Sequence, residues 1–131
     1  MKKHTSTIIA VTACVLVFAV LYLSGCSQHP QDGYATYEVS ENEELGCIEL
    51  HHDGIIYRPY GGFYNNDFRG QQIGIREGDP ESKICEVRGY DSKEWITEYL
   101  DVFMGGGDML YKAVGLTDIP EELGQFKDYD Y

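Results

Sequence analysis

The chain has 131 residues and a formal net charge of −12 at pH 7. This length suits one small domain. Nucleic acids and anionic lipid headgroups are bound through basic surfaces, so the charge argues against both classes of partner. We therefore expect no nucleic-acid partner.

The first 25 residues have the pattern of an export signal. Lys2 and Lys3 form a short positive start, and residues 8–23 are mostly apolar. At 1.5 Å per residue this apolar run spans roughly 24 Å as a helix, which is short of the roughly 30 Å core of a bilayer. Small residues follow the run, as they do before a cleavage site. The pattern predicts a helical signal peptide over residues 1–25.

The end of this segment, Leu23-Ser24-Gly25-Cys26, resembles the lipobox of bacterial lipoproteins. The resemblance implies cleavage after Gly25 and a diacylglycerol thioether on Cys26, with fatty acids such as palmitate. One acyl chain binds a membrane weakly, whereas two anchor a protein stably. We therefore expect a lipid-anchored protein on the extracytoplasmic face of the cell membrane.

Two alternatives to this assignment remain. Val11-Thr12-Ala13-Cys14 also fits the loose lipobox pattern, although cleavage there would leave only residues 8–13 as an apolar stretch upstream. The other alternative is an uncleaved signal anchor with two ordinary cysteines. The position of Cys26, after a full apolar segment and before a polar one, favours Cys26.

The chain after the lipobox is strongly acidic. Eight basic residues against 22 acidic ones give a formal charge of −14 from Cys26 onward. Residues 26–44 contain few aliphatic side chains, too few to offset the entropy that ordering would cost. The composition predicts a flexible acidic tether over residues 26–44.

A β-hairpin is predicted at the start of the domain. The pair Asp53-Gly54 suits a two-residue type I′ turn within residues 47–60. With that turn, Leu50 faces Tyr57 and Glu49 can pair with Arg58. Ile48 and Ile55 share the predicted core face with Leu50 and Tyr57.

Further strands are predicted at residues 72–77, 83–90 and 109–114, where apolar residues alternate or turn residues flank them. Asp91 and Glu94 form a capping-box pattern, which indicates a helical turn that a strand then follows. We predict a mainly β domain over residues 45–124, either a small antiparallel barrel or a sandwich. An OB-like barrel is one form of it. Residues 125–131 are predicted to be a disordered acidic tail.

Aromatic residues alternate with Gly and Asn over residues 60–70, a composition typical of a long shaped loop. Tyr60, Phe63, Tyr64 and Phe68 are therefore the candidate binding residues, on a loop that suits a peptide or a sugar. The alternative is that these side chains cap one end of the barrel.

Cys47 and Cys85 are a candidate disulfide, because an exported protein meets oxidising conditions. Strand alternation places Cys47 on the face opposite Leu50, while Cys85 shares a face with Val87. Two separate buried thiols are therefore the alternative.

No metal, cofactor or catalytic residue is predicted. His51 and His52 are neighbours in a strand, so their side chains point to opposite faces and do not share one ion. Serine or cysteine nucleophiles in a recognisable frame with a histidine are not found. We expect a non-enzymatic binding or interaction module, with an envelope hydrolase as the alternative.

Five segments resemble small exported lipoproteins of Gram-positive bacteria that have no assigned activity: residues 72–75, 86–90, 94–96, 109–112 and 118–121. A small β domain on a lipid anchor is also similar in architecture to lantibiotic immunity lipoproteins, which protect the producing cell from a cationic peptide. This resemblance implies a cationic peptide as the partner, and an envelope protein is the other partner expected of a binding or interaction module.

Overall fold

The computed structural model describes residues 33–64, 67–100 and 106–131. The predicted signal peptide, the lipobox with Cys26, and the tether up to residue 32 lie outside the described residues. The elements are β1 (Ala35–Asn42), β2 (Cys47–His52), β3 (Ile55–Phe63), β4 (Arg69–Arg76), β5 (Asp79–Val87), β6 (Trp95–Leu100), β7 (Gly107–Ala113) and a short helix α1 (Glu121–Gly124). No helix within the described ranges is long and apolar enough to cross a membrane.

The strands close into a barrel in the order β1-β2-β3-β7-β6-β5-β4, and β4 pairs with β1. All neighbours are antiparallel except β1 and β4, which run parallel, with Tyr37 opposite Arg76. A closed barrel leaves no open strand edge. The prediction of a small, mainly β barrel is confirmed. The sandwich alternative is wrong, and seven strands distinguish the fold from a five-stranded OB barrel.

The predicted hairpin is confirmed. Asp53 and Gly54 have φ angles of 49° and 76°, and a type I′ turn requires positive φ at both central residues. Leu50 lies opposite Tyr57, and both are buried. Ile48, which we expected on the buried face, is 43% exposed, because it lies near the end of the barrel.

The predicted helical turn is also confirmed. The backbone N–H groups of Glu94 and Trp95 both donate to the carbonyl of Asp91 at 3.0 Å. The Asp91 carboxylate in addition accepts the N–H of Lys93 at 2.9 Å. β6 then begins at Trp95, as expected for a turn followed by a strand.

The main core fills the inside of the barrel with side chains from six strands. Its buried members are Tyr37, Leu50, Tyr57, Ile84, Ile96, Tyr111 and Ala113. Alternation along each strand directs these residues to one face. The barrel is therefore a packed structure along most of its length.

A second core lies on the outside of the barrel wall. Trp95 and Leu110 belong to it, while their neighbours Ile96 and Tyr111 face the inside. α1 covers this outer cluster with Leu123, which is fully buried. The domain thus has an inner core and an outer one, and the outer one depends on residues near the C-terminus.

The domain begins earlier than predicted, because β1 occupies most of the described part of the predicted tether. β1 pairs with β2 on one side and with β4 on the other. Ala35, Tyr37 and Val39 pack into the inner core, while Glu38 faces solvent. A strand with one polar face needs few apolar residues, so its average composition looked like that of a tether.

The tail prediction is wrong for the C-terminal segment, by which we mean residues 125–131. Phe126 packs against Phe63 and Phe68, with ring centroids 5.2 and 5.3 Å apart. Lys127 forms an antiparallel bridge with Gly61. The segment is therefore attached to the outside of the barrel by both rings and backbone pairing.

Candidate functional site

The predicted aromatic binding loop is largely wrong. Tyr60 and Phe63 lie in β3 and are 6% and 4% exposed, and Phe68 is half-buried against Phe63. Only Tyr64 is a free surface ring, at 93% exposure. The other three rings belong to the outer core, so the capping alternative describes them better.

The candidate disulfide is not formed, because Cys47 and Cys85 are separate buried thiols, as the alternative had it. Both β1 and β4 lie between the two strands that carry them. Three strand spacings amount to about 14 Å, whereas a disulfide requires Cα atoms within about 7 Å. Burial raises the pKa of both thiols, which disfavours the reactive thiolate.

Three buried carboxylates each hold an arginine. The pairs are Glu49 with Arg58 at 2.7 Å, Glu98 with Arg76 at 2.6 Å, and Asp108 with Arg69 at 2.8 Å. The pairing of Glu49 with Arg58 confirms the register expected from the hairpin. These pairs leave few cations to balance the remaining, mostly exposed carboxylates.

The parallel pairing of β1 with β4 brings two acidic turns to the same end of the barrel. The β1–β2 and β4–β5 turns follow the C-terminal ends of these two strands. Glu77 fastens the β4–β5 turn to β1, since its N–H donates to Tyr37 O at 2.8 Å and its carboxylate accepts the N–H of Val39 at 3.3 Å. We call this surface the acidic end; its exposed carboxylates are Glu41, Glu43, Glu44, Glu77, Asp79 and Glu81.

A cavity of about 390 Å³ opens at the acidic end. Asp79 and Glu81 line its mouth, and the buried carboxylate of Glu98 lies in its wall beside Arg76. Ile48, on β2 next to the β1–β2 turn, adds an exposed apolar side chain. The acidic end therefore combines charge, a recess and one apolar contact.

The side chains of Ser40 and His51 are in contact, and their geometry bears on the hydrolase alternative. Ser40 Oγ lies 2.8 Å from His51 Nε2, and the buried carboxylate of Glu49 lies 3.4 Å from the same nitrogen. A catalytic triad uses one ring nitrogen for the serine and the other for the acid. Here both partners face one nitrogen, so the group is a polar network on the outer face of β1 and β2. Sequence reasoning missed this contact, because it depends on the register between the two strands.

His51 and His52 point to opposite faces, as strand alternation predicts. The His52 ring packs on Tyr37, with centroids 4.5 Å apart, while His51 bonds to Ser40 on the outer face. Across the described ranges, no three His, Cys, Asp or Glu side chains are placed to hold one metal ion.

Comparison with protein-family models, curated proteins and solved structures gives no match to this chain. Evidence for a function therefore comes from the placement of charged and aromatic side chains. Two surfaces are distinctive: the acidic end, and a groove on the outside of β3 and β7.

Proposed function

We propose that this protein is an exported lipoprotein, held at the outer face of the cell membrane by acyl chains on Cys26. Its barrel acts as a non-enzymatic binding module for a cationic partner, either a peptide or a basic segment of an envelope protein. The observation that carries the proposal is the acidic end, where six exposed carboxylates lie in or beside two turns and two of them, Asp79 and Glu81, line a cavity.

The charges of the acidic end mainly accelerate the encounter with a cation. Attraction between exposed charges is screened within about 8 Å at physiological salt, and its principal effect is on the association rate. Lasting affinity requires desolvated contacts. The cavity beside Asp79 and Glu81 suits the side chain of a lysine or arginine, and Ile48, beside the β1–β2 turn, offers an exposed apolar side chain elsewhere on the acidic end.

Neutralising the acidic end should weaken the binding of a cationic peptide. We expect the combined variant Glu41→Gln, Glu43→Gln, Glu77→Gln, Glu81→Gln to bind an amidated lysine-rich peptide with about tenfold slower association at low salt. The measurement is surface plasmon resonance on the full chain in neutral detergent, at two salt concentrations.

A matched control removes the same charge elsewhere on the barrel. The variant Glu86→Gln, Glu94→Gln, Asp118→Asn, Glu121→Gln changes four exposed carboxylates outside the acidic end. It should slow association much less. Equal slowing in the two variants would mean that net charge alone attracts the peptide, and the acidic end would not be a site.

Lipid attachment is tested separately at the lipobox. Cys26→Ala should abolish labelling by an alkyne analogue of palmitate and leave the precursor uncleaved, because no thiol remains at the processing position. Cys14→Ala should be labelled normally. Loss of label in Cys14→Ala, with label retained in Cys26→Ala, would refute the assignment of Cys26.

A further inference from the structure

A groove of about 450 Å³ runs along the outside of β3 and β7, and the C-terminal segment forms one of its walls. The rings of Tyr60, Tyr129 and Tyr131 line it, so we call it the tyrosine groove. Its volume falls within the range of about 300–1,000 Å³ that is usual for small-molecule sites. Neither of the two turns of the acidic end contributes to this lining.

The charge in the tyrosine groove is opposite to that of the rest of the surface. Arg58, Lys112 and Lys127 all line it, three of the eight basic residues that follow Cys26. Lys127 is neutralised by Asp130 within the same segment. Arg58 is ion-paired with Glu49, so the uncompensated positive charge comes from Lys112, and Arg58 contributes hydrogen-bond donors.

The carboxylate of Glu49 orients Arg58 and accepts only one of the N–H groups of the guanidinium. Glu49 accepts the Nε–H of Arg58 at 2.7 Å and is itself fixed by Asn42 at 2.9 Å. Among the described residues, the two terminal nitrogens of Arg58 have no hydrogen-bond partner. A guanidinium held in this way retains donors for an incoming planar anion.

Lys112 supplies a second cation without a counter-ion. Its Nζ donates to the carbonyl oxygen of Leu116 at 3.2 Å, and no carboxylate of the described ranges lies within ion-pair distance. The ammonium also lies 5.9 Å from the centroid of the Tyr60 ring. Lys112 is thus held at the groove by a carbonyl and a ring, with its charge uncompensated.

We propose that the tyrosine groove binds a small organic carboxylate that carries an aromatic ring. The terminal nitrogens of Arg58 and the ammonium of Lys112 receive the carboxylate, because a guanidinium and a carboxylate match as two parallel hydrogen bonds. The rings of Tyr129 and Tyr131, whose centroids are 5.5 Å apart, give the ligand's ring a flat surface to contact. This site is independent of the acidic end and takes a ligand of the opposite charge.

The test compares 3-phenylpropionate with its uncharged amide, 3-phenylpropionamide, by calorimetry on the full chain in neutral detergent. The carboxylate should bind at least about tenfold more tightly than the amide, since only the carboxylate can pair with both cations. Lys112→Gln should weaken binding of 3-phenylpropionate by a similar factor. Equal affinity for carboxylate and amide would overturn the proposal.

The chain offers a closely matched control in Lys83. Its Nζ lies 5.8 Å from the Tyr99 ring, nearly the geometry of Lys112 over Tyr60, but outside the tyrosine groove. Lys83→Gln should leave the affinity for 3-phenylpropionate unchanged. If Lys83→Gln and Lys112→Gln weakened binding equally, general charge would account for it and the site would be refuted.

Tyr131→Ala tests the aromatic part of the proposal without disturbing the core, because Tyr131 is exposed. It should weaken binding of 3-phenylpropionate and leave the weaker binding of acetate unchanged. If inorganic phosphate bound as tightly as 3-phenylpropionate, the requirement for an aromatic ring in the ligand would be overturned. The fourfold glutamine variant of the acidic end should still bind 3-phenylpropionate, so failure of one proposal does not imply failure of the other.

Discussion

Replacing Arg76 by Met should lower the free energy of unfolding by about 3–5 kcal/mol at pH 7. Arg76 Nη2 lies 2.6 Å from Glu98 Oε2, and the Glu98 side chain is 2% exposed inside the barrel. Tyr111 donates its hydroxyl to the same oxygen at 3.1 Å. Without Arg76, a buried carboxylate keeps one neutral donor and loses the cation that compensates its charge.

The loss of unfolding free energy in Arg76→Met should become smaller as the pH falls. Burial raises the pKa of Glu98 above its usual value, although Arg76 and the Tyr111 hydroxyl partly oppose this. A folded-state pKa above the unfolded value of about 4.3 means that the protonated form favours folding below that pH. This contribution is lost as the pH rises through the folded pKa. Removing Arg76 raises the pKa of Glu98 further. At mildly acidic pH, Glu98 of the variant is therefore protonated, and the variant no longer bears the cost of a buried unpaired charge.

Urea unfolding, followed by the fluorescence of Trp95 at pH 7 and pH 5, measures this effect. Arg88→Met is the control, because Arg88 is exposed and should cost less than about 1 kcal/mol. The double variant Arg76→Met, Glu98→Gln should recover most of the stability at pH 7. If the loss in Arg76→Met did not depend on pH and persisted in the double variant, the buried charge would not be its cause.

Replacing Gly61 by Ala should detach the C-terminal segment from the barrel. A Cβ at position 61 would collide with the backbone carbonyl of Phe126, which cannot move away without the segment. The N–H of Asp128 then loses its bond to Tyr60 O, now 2.9 Å, and Phe126 leaves the outer core. Overpacking of this kind costs about 1–3 kcal/mol.

Gly62→Ala is the matched control, because the nearest atom to its added Cβ is Asp108 O at 3.3 Å. Both variants are compared by urea unfolding and by the rate at which carboxypeptidase removes residues 125–131. Gly61→Ala should be less stable and more rapidly trimmed than Gly62→Ala. Equal trimming rates would contradict the docking of the segment at Gly61.

Local features of the barrel were predictable from the sequence, because they depend on neighbours in the chain. The Asp53-Gly54 turn fixes the register of its hairpin, and with it the contact of Glu49 with Arg58. β1 was missed because its inward side chains are separated by polar ones, and because one of its two partners, β4, pairs with it across more than 30 residues of sequence.

The burial of the aromatic residues at the candidate site was likewise not predictable, because it depends on contacts between distant parts of the chain. Burial of Phe63 depends on Phe126, which is more than 60 positions later in the chain. The negative charge was evident from composition, but the placement of two acidic turns at the same end follows from the parallel pairing of β1 with β4. Composition predicts the sign of the partner's charge, whereas the docking position that we propose depends on the barrel topology.

The most direct test of the proposed function is the location of the cationic peptide on the barrel. We expect that titrating the full ¹⁵N-labelled chain with the amidated lysine-rich peptide shifts backbone amide signals of residues 41–48 and 77–81. These shifts should diminish when the salt concentration is raised, because the attraction is screened. Shifts spread evenly over the barrel, or confined to residues outside the acidic end, would contradict the proposal, as would the absence of binding at low salt.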